Sequence, residues 1–143
     1  TWGDEYFNLT YGNNAIFSYE TALYFLNLCE EVPSTYNITV NRGYNGSLKN
    51  KSNVKLHYVK RKIFNLGKIV IKSPQGQNII CYNAERCICD MLKHKDNQNI
   101  ETIKYAINEY LNNKNERDLS KLMEYAKEFN IEKCINSYME VLM

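Results

Sequence analysis

Between Val32 and Ala84 the chain carries no aspartate and no glutamate. A metal-dependent nuclease holds its ions on carboxylates at or beside the strands of a sheet, and the middle of this sequence, which reads as strands, offers none. Glu85 alone at the exit of that region does not make a metal site. Histidine is scarce as well, with His57 and His94 the only imidazoles. Neither stands in an HExxH or CxxC context, and Cys87 with Cys89 is an i, i+2 pair whose side chains leave a helix on different sides. No metal and no cofactor is expected. A cysteine nucleophile would need one of the two histidines as its base, and nothing in the spacing favours that over a buried structural thiol. The five cysteines (Cys29, Cys81, Cys87, Cys89 and Cys134) are an odd number without a framework spacing, which reads as reduced thiols. No apolar run approaches the ~20 residues of a membrane span, and no signal-peptide pattern opens the chain. A cytoplasmic protein without a membrane partner is expected.

The 143 residues suit a single domain, and a globule of that size buries roughly 68–70% of its unfolded surface. The opening Thr1 reads as the start of a fragment of a longer protein. Four Asn-x-Ser/Thr sequons, at Asn8, Asn37, Asn45 and Asn50, follow from the abundance of asparagine and do not by themselves make a glycoprotein.

A net charge of +2 conceals an asymmetry. The acid-free middle holds nine basic residues: Arg42, Lys49, Lys51, Lys55, Lys60, Arg61, Lys62, Lys68 and Lys72. The remainder carries the other nine against all 16 acids, hence −7. Such a split predicts an electropositive face, with Arg42, Lys49, Lys51, Lys55, Lys60, Arg61 and Lys62 as candidate nucleic-acid contacts. A solvated face giving only solubility is the competing reading.

Periodicity predicts an α+β fold: a short N-terminal helical region, a mainly antiparallel sheet from about residue 36 to 82, and a C-terminal bundle of about four helices. Ser18 is a good helix N-cap, Glu20 sits in the first turn, and Ala22, Phe25, Leu26 and Cys29 share a face. GDEYFNLTYG, before it, is a weaker helical stretch. YNITV and VKLHYV alternate as half-buried strands. KIVIK and NIICY flank Ser-Pro-Gln-Gly, a hairpin signal, while the basic NRGYNGSLKNKSN reads as a surface loop. From Asn83 the period becomes helical, with caps at Asn83 and Asn99 and a helical hairpin turning near Asn130.

YNAERCICDMLK concentrates charge and sulfur at the exit from the sheet. Its structural reading covers most of the pattern. Glu85 complements the helix dipole, Arg86 and Asp90 are i, i+4 partners, and Cys87, Ile88 and Met91 face the core. Glu85 and Arg86 also have the reach to tie this helix to the sheet.

IFSYETALYFLNL, VNRGYN and YNAERCICDMLK, with the tail LMEYAKEFNIEKCINSYMEVLM, together resemble the C-terminal domain of AbiEi-type antitoxins of bacterial type IV toxin–antitoxin and abortive-infection systems. The likeness spans nearly the whole chain and places Ser18, Glu20, Arg42, Tyr44, Glu85, Arg86 and Asp90 in the family's stretches. Tyr19 departs from it, standing where histidine is expected in many relatives. The resemblance implies an N-terminal winged helix-turn-helix domain upstream of this chain. It also implies repression of the operon by the full-length protein at promoter DNA, and antitoxic activity against a nucleotidyltransferase toxin without a stable complex, the antitoxin being a monomer. On this reading the domain is not an enzyme. A stand-alone RNA- or DNA-binding module and a nuclease-like enzyme are the alternatives.

Overall fold

The computed structural model describes residues 9–73 and 76–142. Its strands are β1 (Ile16–Phe17), β2 (Tyr36–Asn41), β3 (Val54–Val59), β4 (Lys68–Lys72) and β5 (Asn78–Tyr82). Its helices are α1 (Tyr19–Phe25), α2 (Arg61–Phe64), α3 (Ala84–Lys93), α4 (Ile100–Asn112), α5 (Leu119–Phe129) and α6 (Glu132–Leu142). Single 3₁₀ turns lie at Ser47–Asn50 and Lys95–Asn97. The fold is α+β, with one five-stranded sheet in the order β3-β2-β1-β5-β4 and four helices after it.

The sheet is mixed. β4 and β5 form the expected antiparallel hairpin, in register from Lys68↔Tyr82 to Lys72↔Asn78, with Gly76 at φ 87 in its turn. Pro74 and Gln75 of that turn lie outside the described residues. β1 pairs antiparallel with β2 and parallel with β5, while β2 and β3 run parallel. Parallel neighbours need a crossover, and the basic segment between β2 and β3 supplies it. Tyr44 braces this loop, its hydroxyl accepting from the Leu48 amide at 3.3 Å, and Leu48 packs into the core.

Three local features depart from the sequence expectations. The central strand β1, only two residues long, precedes α1. α1 stops at Phe25, so Leu26 and Cys29 leave its face and Leu23 joins Ala22 in the core. The stop is a Schellman turn: Asn27 takes a left-handed φ of 63, and the Leu28 amide reaches back to the Leu23 carbonyl at 2.8 Å. Finally, one helical turn, α2, follows Lys60 directly inside the strand region. Of the weaker helix over GDEYFNLTYG, Leu9 and Thr10 are helical, and residues 3–8 lie outside the described residues.

α3 is the hub. Every residue from Glu85 to Leu92 is buried, because α1, α4 and α5 pack around it. Its start follows the sequence: the Asn83 carboxamide accepts from the Arg86 amide at 2.9 Å. Asn99 and Asp118 cap α4 and α5 in the same way, and left-handed Asn130 (φ 57) turns α5 into α6.

Candidate nucleic-acid interface

β3 is an edge strand, and a cleft of about 780 Å³ opens between it and the far end of α3. On the sheet side it is lined by Arg42, Lys55, His57, Lys60 and Lys62. On the helical side it is lined by Asp90, Lys93 and His94, with Glu128 and Phe129 at the end of α5. Tyr19, the first residue of α1, also lines it.

Tyr19 is held in an unusual conformation. Ser18 before it is extended, with its amide donating to the Asn37 carbonyl at 2.9 Å. The Ser18 hydroxyl does not cap the helix; it accepts from Thr39 Oγ1 at 2.8 Å. The chain then turns into α1 through a left-handed Tyr19 with φ 51. For a bulky side chain this region costs on the order of 1–3 kcal/mol, and such strain clusters at functional sites. Packing enforces it here. The Tyr19 ring stacks on His57 with centroids 4.1 Å apart and planes 23° apart, and His94 lies 6.4 Å away at 45°. Burial, then the neighbouring Asp90, pushes the Tyr19 hydroxyl well above its ordinary range, so it stays protonated.

His57 is fixed from behind. Its Nε2 lies 2.9 Å from Asn37 Oδ1, and Asn37 is itself buried with its amide on Thr21 Oγ1 at 2.8 Å. Burial, then Lys55 and His94, lowers the His57 pKa to about 4, so the ring is neutral at physiological pH. With Nε2 donating to the carboxamide oxygen, Nδ1 is a bare acceptor.

Arg86 has no solvent exposure. Its Nε donates to Asp90 Oδ2 at 3.1 Å, and its Nη1 to the carbonyls of Ile63 and Leu66 at 2.6 and 2.8 Å. The guanidinium lies over the Tyr82 ring at 4.0 Å and 5.0 Å from the Phe129 ring centre. Burial raises the Asp90 carboxyl to about 6 against the opposing pull of Arg86. Thus Arg86 ties α3 to the turn that carries Lys60 and Lys62. Glu85 reaches the helices instead of the sheet: it accepts from Tyr110 Oη at 2.6 Å, and Tyr110 Oη accepts from the Asp118 amide at 2.9 Å.

The nine basic residues of the middle therefore divide. Arg42, Lys55, Lys60 and Lys62 gather on the cleft, joined by Lys93, which the sequence reading did not single out. Lys93 Nζ also donates to the Phe129 carbonyl at 3.0 Å. Arg61, Lys49 and Lys51 are exposed but do not line the cleft. Lys49 instead donates to Asn45 Oδ1 at 3.1 Å. Lys68 and Lys72 belong to β4 at the opposite edge of the sheet. Glu20 is in the first turn of α1, as expected, but faces another cleft with Glu30, Glu31 and Glu101. Tyr19, His57 and His94 were legible only as isolated residues. Their meeting depends on the pairing of β2 with β3.

Three of the thiols belong to the core. Cys81, Cys87 and Cys89 are fully buried, and burial pushes Cys81 and Cys89 up to about 12. Among the described residues, no three His, Cys, Asp or Glu side chains are grouped to hold a metal ion, and no helix is long and apolar enough to cross a membrane. No protein-family model matches the chain, and no curated protein does either.

Proposed function

We propose that this chain is a non-enzymatic antitoxin domain of the AbiEi type, which counteracts a nucleotidyltransferase toxin and whose cleft contacts nucleic-acid phosphate. The observation that carries this reading is convergence: the stretches behind the resemblance meet at one place. IFSYETALYFLNL contributes Tyr19, VNRGYN contributes Arg42, YNAERCICDMLK contributes Asp90 and Lys93, and the helical tail contributes Glu128 and Phe129. Five cations line that cleft, from both sides. A merely solvated surface usually mixes signs more evenly, whereas converging Lys and Arg side chains release counterions when they neutralise phosphates.

Within the cleft Asp90 is committed to Arg86, and His57 to Asn37 through Nε2. In the full-length repressor the basic cleft would add affinity for promoter DNA. The domain would act in the cytoplasm, as a monomer and without a stable complex with the toxin.

Co-expression with a toxin of the nucleotidyltransferase class tests the proposal. Rescue of arrested cells by this chain supports it. Salt-sensitive nucleic-acid binding without rescue favours a stand-alone binding module instead. Metal-stimulated degradation of nucleic acid by the pure protein overturns the non-enzymatic reading.

A further inference from the structure

The cleft is built for more than a row of phosphates. Its cations surround two accessible imidazoles, the half-buried His57 and the exposed His94, with the buried Tyr19 ring stacked behind His57. A surface that reads only a duplex backbone needs charge on an open face, because phosphate contacts position a protein without engaging the bases. Side-chain rings set within a basic groove are the arrangement by which proteins receive unpaired bases of a single strand. The volume, about 780 Å³, falls within the ~300–1,000 Å³ typical of small-ligand clefts.

The cleft also has polar groups suited to a base edge. His57 Nδ1 is a bare acceptor once Nε2 serves Asn37. Asp90 offers carboxylate oxygen while Arg86 balances its charge. Arg86 touches three lining residues, Asp90, Ile63 and Phe129, and its buried Nη2 has no hydrogen-bond partner among the described residues. Glu128 is the one acid of the cleft without a bound cation partner described, and it opposes an incoming phosphate on its own side.

We propose that the cleft takes an unpaired nucleotide of a single-stranded nucleic acid, with the base against the His57 and His94 rings that Tyr19 backs and flanking phosphates on Arg42, Lys60, Lys62 and Lys93. This rests on the reading of the cleft as a phosphate-binding surface. It goes beyond that reading because it assigns a base-receiving function to the imidazoles that the strained Tyr19 positions.

The test is fluorescence anisotropy with labelled strands of about ten nucleotides: single-stranded RNA, single-stranded DNA, an abasic strand of equal charge, and a duplex. The inference expects at least one base-bearing single strand to bind roughly five- to hundredfold more tightly than the abasic strand. The sugar of that strand identifies the source of the nucleotide. Tyr19→Leu removes the ring that holds His57 in place and should weaken the preference for bases. His94→Ala, at an exposed position, should reduce it several-fold even if the Tyr19 variant does not fold. Equal, salt-sensitive binding of intact and abasic strands overturns the base-receiving site and leaves the phosphate surface standing. Absence of salt-sensitive binding to every strand removes both.

Discussion

Arg86 Nε meets Asp90 Oδ2 at 3.1 Å one helical turn away, with the arginine fully and the aspartate almost fully withdrawn from solvent. A buried pair of this kind contributes modest net stability, but removing one member leaves an uncompensated charge and costs about 3–5 kcal/mol. Arg86→Met should therefore destabilise the domain by that order, measured by denaturant unfolding. Adding Asp90→Asn should recover part of the loss. The remainder belongs to the Ile63 and Leu66 carbonyls, which the guanidinium also satisfies. A wild-type midpoint for Arg86→Met would mean that the network is not structural.

Asp90 and His57 line the same cleft and give opposite pH dependences. Burial raises Asp90 from 3.8 to about 6, so the folded state holds more protons than the unfolded chain between those values. Its contribution to stability is present below about pH 4 and lost as pH rises through 6. Burial lowers His57 from 6.5 to about 4, so over nearly the same window the folded state holds fewer protons and stability rises with pH. His94 is shifted in the same direction as His57. Relative to wild type, Asp90→Asn should gain stability as pH rises from 4 to 6, and His57→Gln should lose it, each by up to about 2–3 kcal/mol. Unfolding midpoints across that range decide the matter, and parallel curves for both variants would refute the assignment.

Gly67 supports the start of α3 from outside. Its φ is +85, and its carbonyl accepts from the Asn83 amide at 2.7 Å. A Cβ there would lie 2.7 Å from Arg86 Cβ and 2.9 Å from Asn83 Oδ1. Neither atom is the far end of a flexible chain, since Asn83 Oδ1 is committed to the Arg86 amide. Gly67→Ala should destabilise by more than the ~1 kcal/mol of a glycine-to-alanine change at positive φ alone, on the order of 2–3 kcal/mol. Thermal unfolding would show this, with Gly76→Ala, where the new Cβ meets nothing within 4 Å, as the milder control.

The C-terminal helices were legible because periodic stripes coincide with strong caps: Asn83 and Asn99 each accept a backbone amide where a helical pattern begins, and the structure adds a third such cap at Asp118. β1 was not. Ile16 and Phe17 are too few to display a period of two, and the strand exists because β2 and β5 pair with it on either side. The early end of α1 lay in Asn27, whose left-handed conformation is a tertiary outcome of a residue that also tolerates helix. The charge asymmetry was plain in composition. Its partition between two edges of the sheet was not, because strand order is set by long-range pairing rather than by local pattern. Lys93 escaped notice for a related reason: it lies just past the acid-free middle, and only the packing of α3 brings it to the cleft beside Lys60 and Lys62.

That partition sharpens the expectation for the basic residues. If the cleft is the phosphate-contact surface, Lys60 and Lys62 act there, Arg61 points no comparable charge into it, and Lys68 and Lys72 stand at the other edge. Each phosphate contact contributes about 0.9 to the slope of log K against log salt on duplex DNA and about 0.7 on single strands. Lys60→Gln with Lys62→Gln should flatten the slope for duplex DNA by up to about two units. Lys68→Gln with Lys72→Gln should leave it nearly unchanged, as should Arg61→Gln. All of these positions are exposed, so folding should be close to wild type, and circular dichroism checks that first. Equal flattening by both pairs would locate the effect in net charge rather than in the cleft. A well-folded Lys60/Lys62 variant with an unchanged slope would remove those two residues from the binding surface.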